Sequence, residues 1–312
     1  MTLTSAHAPI SITIDQFFEQ PNGLRSHYLD QGQGAPVVMV HGNPSWSIYY
    51  RQLVDALKHN YRCIVPDHIG CGFSDKPDDS EYAYTLSQRI EDLENLLESL
   101  DLQEPITLVV HDWGGAIGMG YATRHPEKIA RIVVLNTAAF HQHTAKPGKI
   151  PPALRLGRNT RLGAWLIHQH NAFSVAASWV GCKQHPMSKA LRKAYQMPYN
   201  TPAHRLATLR FVQDIPLEPN DPAFETLSAI EDKLHLFAET PMLICWGMKD
   251  FVFDKDFLAV WEERFPQAEV YRFIEGGHYI LEDASEEVIP LIQTFLHGDP
   301  MPHLDPEETA TV

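Results

Sequence analysis

Hydrophobic and polar positions along this chain change period in a regular way. "SITIDQFFEQ" and "LRSHYLDQ" flank the turn signal "PNG" and read as two strands of a hairpin. "PVVMVHG" (36–42) and "YRCIVPD" (61–67) are continuous apolar runs, the pattern of strands buried on both faces. An amphipathic stretch over about 46–59 separates them. "YTLSQRIEDLENLLESL" (84–100) has apolar residues three and four apart, which predicts a helix. "PITLVVHD" predicts a strand, "GGAIGMGYATRHP" a helix stopped by Pro126, and "IARIVVLNT" another strand. From 140 to 228 the alternation stops and helix formers, basic residues and prolines dominate. It resumes with "PMLICWGMKD" (strand), "FDKDFLAVWEERFP" (helix), "AEVYRFIEGGH" (strand) and "EEVIPLIQTFL" (helix).

Alternating strands and helices with short connections predict an α/β fold: a mostly parallel central sheet with helices on both faces. The interruption predicts an inserted helical cap. The division expected is core at 1–138, cap at 139–228, core again at 229–297 and an acidic, disordered tail at 298–312. Its 312 residues can bury a sizeable core. The N-terminus lacks the pattern of a secretory signal, and no apolar run approaches the ~18–20 residues of a spanning helix. Four scattered cysteines without a C-x-x-C pair read as packed, reduced thiols, and the expected location is the cytoplasm.

The net charge of −14 excludes general nucleic-acid binding. Its distribution is uneven. Residues 138–213 contain no Asp or Glu, yet hold eleven of the chain's 25 Lys and Arg residues. That basic cap is either a solvated helix face or a docking surface for an acidic protein partner or an anionic membrane surface.

The chemistry concentrates at the C-terminal ends of the predicted parallel strands, where open α/β sheets place their sites. "VVHDWGGAIGM" (109–119) has the strand–turn–helix form of a nucleophile elbow, G-x-S-x-G, with Asp112 in place of serine and Val110 in place of the first glycine. Asp250 ends "CWGMKD" and His278 ends "IEGGH". The chain order is therefore nucleophile, acid, histidine, as in α/β-hydrolases. "HGNP" (41–44) follows a buried strand, so the backbone N–H groups of Asn43 and Trp113 would face the site. A carboxylate nucleophile can displace a leaving group from an electrophilic carbon and form an enzyme ester. His278, oriented by Asp250, can then activate water against that ester. The side-chain N–H donors of Asn43 and Trp113 could hold the departing anion. "HQH" occurs twice, at His141–His143 and His168–His170, without a nearby cap carboxylate, so no metal and no organic cofactor is expected.

"HGNPSWS", "HDWGG", "WGMKD" and "GGH" resemble the haloalkane dehalogenase branch of the α/β-hydrolases, over about 24–297. The resemblance implies that Asp112, His278 and Asp250 are nucleophile, base and acid, and that Asn43 and Trp113 hold the leaving group. One dehalogenase subgroup carries its acid as a glutamate after the sixth strand. Here "LNTAAF" stands there, with Asn136, so the pattern is that of the third subgroup, with Asp250 as acid. Epoxide hydrolases share "HDWGG" but use paired cap tyrosines, for which Tyr195 and Tyr199 are the candidates. Fluoroacetate dehalogenases carry Arg where this chain has Trp113.

"PDHIGCGFSDKP" (66–77), "LNTAAFH" (135–141), "TLRFVQDIPL" (208–217) and "GHYILEDA" (277–284) more closely resemble the β-lactone decarboxylases of bacterial long-chain olefin biosynthesis. That resemblance implies conversion of a cis-3,4-dialkyl-oxetan-2-one to a cis-olefin and CO₂. Asp112 would attack either the ring carbon bearing oxygen or the carbonyl. The alternative is hydrolytic haloalkane dehalogenation, and a third reading is a non-catalytic ligand sensor or assembly component. The resemblance also implies protein partners among the olefin-pathway enzymes, in a peripheral multi-enzyme assembly. A homo-oligomer is compatible with all of these readings.

Overall fold

The computed structural model describes residues 2–4, 9–11, 15–141 and 150–302. Eight strands form one sheet: β1 Gln16–Glu19, β2 Arg25–Gln31, β3 Pro36–Val40, β4 Arg62–Pro66, β5 Ile106–Asp112, β6 Ile129–Thr137, β7 Met242–Gly247 and β8 Glu269–Phe273. Their spatial order is β8-β7-β6-β5-β3-β4-β2-β1. The PNG hairpin pairs β1 with β2 in antiparallel register, Glu19 opposite Arg25, and β2 runs antiparallel to β4. Every other pairing is parallel.

Alternation along the strands divides the core between the two faces of the sheet. Val38, Val40, Leu108, Val110, Ile132, Val134, Ile244 and Trp246 pack on one face, under α2 (Leu86–Ser99) and α3 (Trp113–Ala122). Val37, Met39, Val109, Val133, Leu135, Leu243 and Cys245 pack on the other. That face is covered by the short helix α1 (Arg51–Leu57) and by the C-terminal helix Ser285–His297. Both faces are dry, which is why the strands read as continuous apolar runs. The four cysteines are buried and free.

Between β6 and β7 the described residues are helical. They include α4 (Pro152–Asn159), α5 (Arg161–His170), α6 (Ala172–Val180), α7 (Lys189–Gln196), α8 (Leu206–Gln213) and α9 (Phe224–Glu231). Thr160 and Ser188 cap α5 and α7 through their side chains. Of the tail expected to be disordered, residues 298–302 are held. Gly298 ends the last helix in the left-handed conformation, Met301 packs on the core, and the Tyr271 hydroxyl donates to the Pro302 carbonyl at 2.6 Å. Residues 303–312 lie outside the described residues. No described helix is long and apolar enough to cross a membrane.

Candidate active site

Strand β5 ends at Asp112, whose backbone takes φ 52° and ψ −127°. A non-glycine residue there costs about 1–3 kcal/mol and persists only where its surroundings impose it. The two glycines that follow supply the reason. A Cβ on Gly114 would lie 1.9 Å from the Val40 carbonyl oxygen, and one on Gly115 would lie 1.9 Å from Thr137 Oγ1. Helix α3 can therefore start directly against β3 and β6. The Thr137 hydroxyl donates to the Asp112 carbonyl and closes the turn. The carboxylate is thrust upward at the N-terminus of α3, where the Trp113 backbone N–H donates to it.

The other carboxylate donor comes from the loop after β3. The Asn43 backbone N–H meets Asp112 Oδ1 at 2.6 Å. A Cβ on Gly42 would stand 2.0 Å from that same oxygen, so only glycine fits before Asn43. The "PDHIGCGFSD" segment braces this loop from the end of β4. Asp67 Oδ1 accepts the Ser47 N–H at 2.7 Å, its Oδ2 accepts the Phe73 N–H at 3.0 Å, and His27 Nδ1 lies 2.7 Å from Oδ2. Burial disfavours the Asp67 charge, but His27, His41 and the Phe73 N–H outweigh it and hold the carboxyl well below its ordinary value. The His68 ring donates from Nε2 to the His41 carbonyl at 2.8 Å.

His278 Nδ1 lies 2.8 Å from Asp250 Oδ2, and His278 Nε2 lies 3.6 Å from Asp112 Oδ2. Asp250 does not cap the following helix; Asp254 does. Instead Asp250 Oδ1 accepts the Val252 N–H at 2.7 Å, which aims its other oxygen at the histidine. Asn136, where one dehalogenase subgroup carries its acid, is committed elsewhere. Its side-chain amide accepts the Gly247 N–H at 2.8 Å and donates to the Gly247 carbonyl at 3.1 Å, tying β6 to β7. The ring of His111 stacks on Tyr49 at 4.2 Å and donates from Nε2 to the His278 carbonyl at 2.8 Å. Burial, reinforced by His278, drives His111 well below the ordinary imidazole range, so it stays a neutral brace.

Burial pushes the Asp112 carboxyl above its ordinary value, and His278 with the two backbone donors only partly offsets this. Burial alone would lower His278, but Asp250 and Asp112 outweigh it and raise its pKa. Asp112 Oδ1 is held by the Asn43 backbone N–H, while Oδ2 faces His278 Nε2.

A cavity of about 820 Å³ opens over Asp112 and runs beneath the cap. Asn43, Trp113, Phe140, Phe253, His278 and Tyr279 line it from the core, and Leu154, Ile167, Phe173, Ala177 and Val212 from the cap. It is apolar apart from the Asp112 end and a second polar wall at His141, Ser228, Glu231 and Asp232. Tyr195 and Tyr199 do not line it. Tyr195 donates to Glu282 Oε1 at 2.6 Å and Tyr199 to the Ser45 carbonyl at 3.1 Å, so both are packing residues. His141 bonds Ser228 Oγ at 2.9 Å, His170 lies edge-on to Trp165, and His143 falls outside the described residues.

The structure adds residues whose place at the site no local pattern marked. Helix α8, within "TLRFVQDIPL", roofs the expected anion site. The Thr208 carbonyl accepts from Asn43 Nδ2 at 3.2 Å, which fixes the amide and leaves its second N–H available. Phe211 packs against Trp113, with ring centroids 5.5 Å apart. The guanidinium of Arg89 lies 3.7 Å from the Phe211 centroid and 5.8 Å from that of Trp113, and Arg89 Nη1 pairs with Asp214 Oδ2 at 2.9 Å. The Arg89 side chain is fully buried. Replacing Arg89 by Met leaves Asp214 as a buried, unpaired carboxylate. The expected loss is about 3–5 kcal/mol in chemical denaturation. Replacing Asp214 by Leu in the same chain should recover part of it, and an unchanged midpoint in the single variant would show that the pair is not structural.

Comparison with known proteins places the chain in a family. Residues 35–285 match the α/β-hydrolase-fold family. A cis-3-alkyl-4-alkyloxetan-2-one decarboxylase of Shewanella oneidensis is 61% identical over 279 residues, covering 89% of this chain and 87% of that protein. Its counterpart in Xanthomonas campestris is 48% identical over 286 residues, covering 89% and 94%. Haloalkane dehalogenases stand further off. The crystal structure of one from Agrobacterium tumefaciens superposes with a TM-score of 0.78 at 25% identity, covering 91% of this chain and 96% of that one. With its buried acidic elbow, its eight-stranded sheet and these relatives, the chain belongs to the α/β-hydrolase family.

Proposed function

We propose that this protein is a β-lactone decarboxylase that converts a cis-3,4-dialkyl-oxetan-2-one to a cis-olefin and CO₂. The observation that carries the reading is a buried carboxylate, one oxygen held by the Asn43 N–H and the other facing His278, in the wall of a large apolar cavity. The names of the relatives at 61% and 48% identity support it.

Asp112 Oδ2 attacks the ring carbon that bears oxygen, from the side opposite the C–O bond. That bond breaks, its electron pair goes to the lactone carboxylate, and an alkyl ester forms on Asp112. Asn43 Nδ2 and Trp113 Nε1 receive the carboxylate. The C–CO₂ bond then breaks, its electrons form the double bond, and the Asp112 carboxylate is expelled. Inversion at the first step leaves the ester and the carboxylate antiparallel across the forming double bond. Anti elimination then gives a cis-olefin from a cis ring without rotation about the central bond. No proton and no water is consumed, so His278 acts by its charge, beside Asp112, rather than as a base. A haloalkane would take the first step with halide as leaving group, after which His278 would direct water at the ester.

Purified protein offered a cis-3,4-dialkyl-oxetan-2-one and, separately, a 1-haloalkane is expected to release cis-olefin rapidly from the first. Rapid halide release without olefin would overturn the assignment in favour of dehalogenation.

A further inference from the structure

We propose that the mouth of the cavity docks on an anionic lipid surface. Residues that both line the cavity and face solvent form its rim: the apolar Leu156 on α4, Val180 at the end of α6 and Phe251 after β7, with Ala153, Ala176, Pro219 and one acidic residue, Asp232. Further exposed apolar side chains stand on α5 and α6. Trp179 is 62% exposed, Leu162 59% and Trp165 51%. A globular protein rarely leaves two tryptophans this open without a use for them.

The charges around the rim fit a lipid headgroup layer. Arg158 and Arg210 are paired with Asp221 and Asp79. Among the described residues, Arg155, Arg161, Lys183, Lys189, Arg192 and Lys193 have no acidic partner. Two of these lie directly on the apolar surface. The Arg192 guanidinium stacks 3.8 Å from the Trp179 centroid, and Lys183 Nζ lies 5.6 Å from that of Phe251. Indole rings beside cations with apolar stems form the pattern of an interfacial anchor, in which the rings enter the acyl boundary and the cations meet phosphate. An acidic protein partner would also meet the cations, but it gives the exposed rings at the rim no comparable apolar phase. Seated this way, the mouth would open toward the acyl layer, and an apolar ligand could enter or leave without crossing water. This depends on the surface and the cavity alone, not on which reaction Asp112 performs.

The test is co-sedimentation of the whole protein with phosphatidylglycerol/phosphatidylethanolamine vesicles and with phosphatidylcholine vesicles. Binding is expected to the anionic vesicles, about tenfold or more weaker to the neutral ones, and reversed by about 0.5 M salt. The variant carrying Trp165→Ser, Trp179→Ser, Lys183→Glu and Lys189→Glu should lose at least about tenfold in partitioning. None of the four lines the cavity. That variant should keep its melting temperature and its turnover of a short-chain, water-soluble substrate. A protein that stays in the supernatant with every vesicle, or a folded variant that still sediments equally, overturns the proposal. So does an acidic protein that binds the same surface while vesicles do not.

Discussion

Asp112→Asn is expected to reduce olefin formation and halide release together, each by on the order of 10⁴-fold or more. The substitution is nearly isosteric. Its Oδ1 can still accept the Asn43 N–H, so the elbow at φ 52° has no reason to relax. What it removes is the carboxylate Oδ2, which faces His278 at 3.6 Å and is the atom proposed to attack carbon. Gas chromatography of olefin and titration of halide measure the two losses, and circular dichroism checks the fold. A folded variant with more than about a tenth of the parent rate would exclude covalent catalysis at Asp112.

His278→Gln should separate the two chemistries. In dehalogenation the alkyl ester on Asp112 waits for water, and only a neutral His278 can activate it. The variant should therefore release at most about one halide per site and accumulate an alkylated Asp112 by mass spectrometry, as expected when the general base for the second step is lost. In decarboxylation the ester collapses on itself, so olefin formation should stay within about tenfold of the parent. The pH dependence follows the same division. Asp250 and Asp112 raise the His278 pKa, so protonation silences the base at a pH above the ordinary imidazole range. Ester hydrolysis should fall first as pH is lowered. Olefin formation should fall only when Asp112 takes up its own proton, at a pH above the ordinary carboxyl value because burial raises it. Equal loss of both activities in the variant would mean that His278 moves a proton in forming the olefin.

Much of the site was legible in the chain because its parts are local. A nucleophile elbow is a strand, a turn and a helix in eleven consecutive residues. Its glycines are demanded by contacts with the neighbouring strands, as the 1.9 Å approach at Gly114 shows. Asp250 and His278 announce themselves by closing apolar runs. The strand–helix alternation predicts the sheet for the same reason, since burial on both faces leaves a continuous apolar signature. The hairpin at "PNG", the buried cysteines and the helical block between β6 and β7 were equally readable. The tail read as disordered differs at 298–302, where Tyr271 and the core reach it through pairings that composition does not encode.

The chain by itself therefore determined the fold class, the order of Asp112, Asp250 and His278 at successive strand ends, and the placing of Asn43 and Trp113 beside the first of them. Each depends on backbone periodicity or on a few adjacent residues. Only the tertiary structure decided that α8 lies on that pair. Asn43 meets Thr208 across 165 positions, and Arg89 meets Asp214 across 125, with Phe211 held between Arg89 and Trp113. It also decided that the exposed Trp179 carries the guanidinium of Arg192 on its ring. Contacts of that range come from how the cap seats on the sheet. Packing chooses among many amphipathic faces, and periodicity along one helix cannot say which neighbour a face will meet.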